Sequence, residues 1–166
     1  MSDLYSEWIV KRKKPSWAFA AKVALICLTV ICGLLTMTGI FWFMLIPTVA
    51  LGYLTYRLSL NWDMEYEYTF VKGELDIDKI MAKSKRKRCA VLNMDQTEIV
   101  APEGAHQLDN FKNTPCKTMD FSSHIPENKK YVMYTSYHNE MVKIIFEPSE
   151  RMLDDMWNTA PRKVVK

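Results

Sequence analysis

Glycine is scarce, five residues in a chain of 166. None is spaced as a phosphate-cradling loop requires, which excludes a nucleotide site of the G-x-G-x-x-G or G-x-x-x-x-G-K kind. Cysteine is equally uninformative. Cys27 and Cys32 fall in an apolar run, Cys89 and Cys116 stand alone, and there is no C-x-x-C. A disulfide framework and a zinc site are both disfavoured, and a reducing compartment fits better. The histidines, His106, His124 and His138, are scattered without Cys or carboxylate partners at ligand spacing. Neither G-x-S-x-G nor H-E-x-x-H occurs. Ser122 and Ser123 adjoin His124, yet a catalytic triad needs separate elements converging in space. The expectation is a protein that is not an enzyme, with no cofactor and no metal.

Charge is missing altogether between Val23 and Tyr56, although mean hydropathy over the whole chain is close to zero. A membrane span needs about 20 mostly apolar residues. The stretch 17–57 is about twice that, and the spacing predicts two transmembrane helices, about 17–37 and 39–57. Thr36-Met37-Thr38-Gly39 supplies the turn between them, Gly accepting the backbone angles that close one. Lys22 lies near the start of the first span, where its ammonium reaches the interface. Trp17, Trp42, Tyr53 and Tyr56 suit the interfacial aromatic belts. A signal peptide would be shorter and would carry a small-x-small cleavage site. A buried core helix would not lack charge over such a length. One span kinked at Pro47 is the competing reading.

The positive charge is placed accordingly. Met1–Arg57 holds six basic and two acidic residues, net +4 of the chain's +3, so the part from Leu58 onward is near −1. Lys11-Arg12-Lys13-Lys14 before the first span and Arg57 after the second put both termini in the cytoplasm and the turn outside. The chain therefore reads as a multi-pass cell-membrane protein: a basic cytoplasmic segment 1–16, the hairpin 17–57, and a cytoplasmic domain 58–166.

From Leu58 the period changes to two. Trp62, Met64, Tyr66, Tyr68 and Phe70 alternate with polar residues, a strand with one buried face. Val71-Lys72-Gly73 turns it into Glu74–Met81. Further strands are expected at Arg86–Met94, Glu98–Ala101, Lys117–Phe121, Tyr131–Tyr137 and Met141–Phe146, with Ala105–Pro115 a loop. About seven short strands make a sandwich or small barrel. A C-terminal helix over 148–160 follows, opened by Pro148-Ser149 and ended by Pro161, with Met152, Leu153, Met156 and Trp157 on one face and Trp157 its main anchor.

A chain of this plan resembles the membrane-tethered bacterial version of the pleckstrin-homology (PH-like) fold. More closely, it resembles a family of small bacterial two-span membrane proteins classed as a domain of unknown function. The residues that carry the likeness are Leu4-Tyr5 with Lys11–Lys14, the run Tyr66–Ile80, Lys85–Arg88, Asp120-Phe121-Ser122-Ser123, Phe146-Glu147-Pro148 and Ala160-Pro161-Arg162-Lys163. The resemblance implies no catalytic residues. In phosphoinositide-binding PH proteins the turn between the first two strands is basic. The corresponding turn here is read as Lys72-Gly73, with Glu74 beside it.

One cluster could carry a function: Lys83, Lys85, Arg86, Lys87 and Arg88. It could contact anionic headgroups, at about 1 kcal/mol per basic residue. It could equally be a solvated turn compensated by Asp76, Asp78 or Glu98. A near-neutral tethered domain argues against nucleic acid. Asp76 with Asp78, and Glu65 with Glu67, read as the polar face of half-buried strands. The first functional expectation is a membrane-anchored, non-catalytic interaction module whose partners are the bilayer and a protein or a second copy of itself. The alternative is sensing of anionic lipid or envelope state through residues 83–88. A small hydrolase comes last.

Overall fold

The computed structural model describes residues 5–39 and 42–166. Ile40, the expected start of the second apolar stretch, and Leu4 of the family likeness lie outside the described residues. The chain divides into two units, one of Met1–Lys13, Glu65–Ile80 and Arg86–Lys166, the other of Lys14–Met64 and Met81–Lys85.

The helical unit contains α1 (Ala18–Met37) and α2 (Leu45–Trp62). At 1.5 Å per residue, the 20 residues of α1 extend about 30 Å, and α1 is the one described helix long and apolar enough to cross a membrane. Ala18 is its only buried residue. Phe19, Leu34 and Met37 of α1, like Ile46 and Val49 of α2, are exposed. Thr29, Thr36, Thr48 and Thr55 each donate a hydroxyl to the carbonyl four residues back in their own helix, at 2.7–2.8 Å. The turn falls where glycine predicts it, with Gly39 at φ +73° and its N–H donated to Thr36 O. α2 runs on to Trp62, beyond the expected end at Arg57. Trp62 thus leaves the alternating pattern and packs edge-on against Trp17, ring centroids 5.8 Å apart.

The second unit is built on two four-stranded sheets. The first has the order β1 (Tyr5–Lys11), β2 (Met64–Val71), β3 (Glu74–Met81), β4 (Lys85–Asn93). The second has the order β5 (Thr97–Pro102), β7 (Tyr131–Tyr137), β8 (Glu140–Phe146), β6 (Lys117–Asp120), with β6 parallel to β8. Period-2 alternation governs the packing. Tyr66, Tyr68 and Phe70 from β2, Leu75 and Ile77 from β3, and Ala90 and Leu92 from β4 face one core with Met133, Ile144 and Phe146. Both two-residue hairpin turns, Lys72-Gly73 and His138-Asn139, have positive φ at each position, the twist that matches the flanking strands.

Three expectations change. The segment 1–16 was read as a basic tail, but its residues 5–11 form β1, paired antiparallel to β2 from Tyr5↔Val71 to Lys11↔Glu65. With Ser6 and Val10 its only buried residues, β1 lacks an apolar alternation to announce it. The loop Ala105–Pro115 contains a 3-10 turn, His106–Phe111, that covers the outer side of β5 and β7. There Phe111 stacks on Tyr134 at 4.9 Å, which is why Tyr131–Thr135 is buried on both faces. α3 (Glu150–Thr159) is capped by Ser149 Oγ, which accepts from Met152 N at 3.2 Å. Met152, Leu153 and Met156 are its anchors, whereas Trp157 is 42% exposed beneath the Lys166 ammonium. Past α3 the chain lies along the free edge of β5, with Val100 N–H donating to Lys163 O and Val165 N–H to Val100 O.

Candidate functional site

The basic cluster is split by the strand geometry. Lys83 sits in the β3–β4 turn with φ +55°. Lys85, in the helical unit, lies over the Tyr56 ring, 5.8 Å from its centroid. Arg86 and Arg88 reach back to the carboxylates of neighbouring strands. Arg86 pairs with Glu67 through Nη2 and donates from Nε to Asp78 Oδ2 at 2.7 Å. Arg88 lies 3.8 Å from both Asp76 and Asp78. Lys83, Lys85 and Lys87 pair with no carboxylate among the described residues.

The arginines and their partners line a cleft of about 430 Å³ with Tyr5, Glu7 and Thr69. Four carboxylates (Glu7, Glu67, Asp76, Asp78) there face two guanidinium groups, so the cleft is acidic on balance. Burying Glu67 unpaired would be costly, and Arg86 offsets that cost. Two of the five cluster residues therefore serve the sheet, and an anionic surface has the three lysines to contact.

Ser122, Ser123 and His124 do not form a nucleophile and base. Ser122 Oγ donates to Asp120 Oδ1 at 2.7 Å, and Ser123 Oγ to Glu147 Oε1 at 2.7 Å. His124 is 3.6 Å from Asp120. Burial pushes the Asp120 carboxyl up, but the Ser122 hydroxyl and N–H, with His124 and Arg12 nearby, outweigh it and hold the group below its ordinary value. Both serines are buried, as is Glu147, which also accepts from Ser123 N–H and from Asn128 Nδ2 at 2.9 Å each. This carboxylate ties the loop after β6 to the end of β8. It was visible in sequence only as part of Phe146-Glu147-Pro148. Burial raises the Cys89 thiol, which lowers its thiolate character at neutral pH. Among the described residues no group of three or more His, Cys, Asp or Glu is placed to hold a metal ion.

Residues 2–166 match the family described as Bacterial PH-like domain (DUF6106). The chain belongs to this bacterial PH-like family. No curated protein and no solved structure matches it. Two sheets closed by a C-terminal helix accord with a PH-like fold, a likeness that speaks to architecture and leaves function to the site. In the PH-like unit Lys72-Gly73 joins the second and third strands. With β1 in place, the first two strands are joined by the segment that begins Arg12-Lys13-Lys14 and contains both helices.

Proposed function

We propose that this PH-like protein is a membrane-anchored, non-catalytic interaction module. In this reading α1 and α2 form a two-span hairpin and both termini are cytoplasmic. The observation that carries the topology is the pairing of β1 with β2. The chain leaves the first sheet after Lys11 and re-enters it at Glu65, directly opposite. Strands on opposite sides of a bilayer cannot hydrogen-bond, so an insert between them crosses an even number of times. If α1 crosses, α2 returns. The lysines at 11, 13 and 14, Arg12, and Arg57 at the other end favour the cytoplasmic side for both ends.

The non-catalytic reading is supported by the Ser122 and Ser123 hydroxyls being tied to Asp120 and Glu147. The surface offered to a partner is the outer edge strand β1, where Tyr5, Trp8 and Ile9 are exposed. The occupant is a protein partner or a second copy. Crosslinking in intact cells tests the module: recovery of a discrete adduct lost in Trp8→Ser supports it, and monomer alone under several chemistries overturns it. For the topology, single cysteines at Thr38 and Lys166, in a chain freed of its four native cysteines, are labelled with an impermeant maleimide. Labelling of residue 38 alone in intact cells is the expected result.

A second reading, sensing of anionic lipid through residues 83–88, is favoured by one observation. Met81–Lys85 clusters with the helical unit, and its lysines are free of carboxylates among the described residues. Hydrogen exchange at 81–88 that slows in phosphatidylglycerol discs but not in phosphatidylcholine discs would support it.

A further inference from the structure

At the foot of the helical unit, the start of α1 and the last turns of α2 line an open cavity of about 470 Å³. Its walls combine two chemistries. Ala18, Phe19, Tyr56 and Trp62 are apolar or aromatic, and Lys14, Lys22 and Asp63 are charged. Lys14 lies 3.0 Å from Asp63, which neutralises that pair. Lys22 has no carboxylate partner among the described residues and leaves the cavity with one net positive charge. The N-terminal end of α1 forms part of the same wall. It has no side-chain cap and no acidic residue in its first turn, so its partial positive charge is uncompensated there.

We infer that this cavity is a binding site for one anionic glycerophospholipid, distinct from the cluster at residues 83–88. Its phosphate is held by Lys22 and the start of α1, and an acyl chain lies against Phe19, Tyr56 and Trp62. The occupant follows from the walls. A free phosphate has no use for an aromatic trough, and a zwitterionic lipid brings a cation to a site already positive. The site rests on the proposed hairpin topology, which places both helix feet at the depth of the headgroups.

The test uses the full chain with Trp8, Trp42 and Trp157 replaced by Phe, so that Trp17 and Trp62 report on the cavity. The chain is reconstituted in phosphatidylcholine vesicles containing a minor fraction of phosphatidylglycerol, with bromine on the acyl chains of one lipid at a time. The expected result is saturable quenching by brominated phosphatidylglycerol at low mole fraction, insensitive to inorganic phosphate. Lys22→Gln weakens it about fivefold, the counterpart of about 1 kcal/mol for one basic residue at an anionic surface. Ala18→Leu, which fills the cavity and leaves charge alone, weakens it as well. Equal quenching by both lipids, competition by inorganic phosphate, or indifference to both variants overturns the site but leaves the anchor standing. Absence of quenching by either lipid overturns the anchor and the site together.

Discussion

Lys11 and Glu65 stand opposite each other in neighbouring antiparallel strands, and the entire helical segment lies between them in sequence. The helices are therefore an insertion into a sheet, and Tyr5–Lys11 before them belong to the folded PH-like unit.

This makes the first strand sensitive to substitution. Val10 is buried opposite Tyr66, while its neighbour Ile9 is exposed. Val10→Asp is expected to lower stability by about 3 kcal/mol, and Ile9→Asp to change it by about 0.5 kcal/mol at most. Denaturant unfolding of the chain in micelles, followed by fluorescence, measures both. A basic tail outside the fold would tolerate the two alike.

Glu147 holds one loop by accepting three hydrogen bonds from it. Glu147→Leu strands the Ser123 and Asn128 donors and costs about 3 kcal/mol. Hydrogen exchange should accelerate locally over 122–128 before any global loss is seen.

Removing Arg86 takes from Glu67 its guanidinium partner and leaves Asp78 with the more distant Arg88. Because the Arg86 side chain is 57% exposed, solvent screening limits the loss, and Arg86→Met is expected to cost about 1–2 kcal/mol. Lys87→Met, without a carboxylate partner among the described residues, should be close to neutral. Equal melting temperatures for the two variants would refute the division of the cluster.

Tyr68 is fully buried and donates its hydroxyl to Phe121 O at 2.7 Å. Tyr68→Phe leaves that carbonyl unpaired, at about 1–3 kcal/mol. Burial holds the phenol well above its ordinary value of 10.0. A group with a raised folded pKa contributes stability that is complete below its unfolded value and is lost as pH rises through the folded one. The wild-type chain should lose stability above pH 10, and the Phe variant should lose less over that range.

Asp120 titrates in the opposite sense. Its carboxyl is held below the ordinary 3.8, so the stability it contributes is present above that value and is lost as pH falls through the folded pKa. Ser122→Ala removes the hydroxyl donor and brings the folded pKa closer to the unfolded one, so the variant should be less stable near neutral pH and lose less stability as the pH falls.

Some of this was legible in the residues themselves. Tyr66, Tyr68 and Phe70 alternate because a half-buried strand has period two, and Lys72-Gly73 marks a hairpin because glycine accepts positive φ. The uncharged run and Gly39 placed α1 and its turn. Other features were not legible. Trp62 fitted the alternation but ends a helix, since packing on Trp17 outweighed a periodic signal at its margin. Trp157 fitted the helical stripe, but α3 turns its three smaller apolar residues inward and leaves the indole to Lys166.

The sequence by itself determined the apolar run, the parity of the strands and the positions of the turns, because each depends on residues close in the chain. Only the tertiary structure decided that Tyr5–Lys11 is a strand, that Arg86 and Arg88 neutralise Glu67, Asp76 and Asp78, and that Lys14, Lys22 and Tyr56 share one cavity. Those relations join residues separated by a helical pair or by a hairpin. Their pairing energy depends on distance in space, and local periodicity carries no record of it.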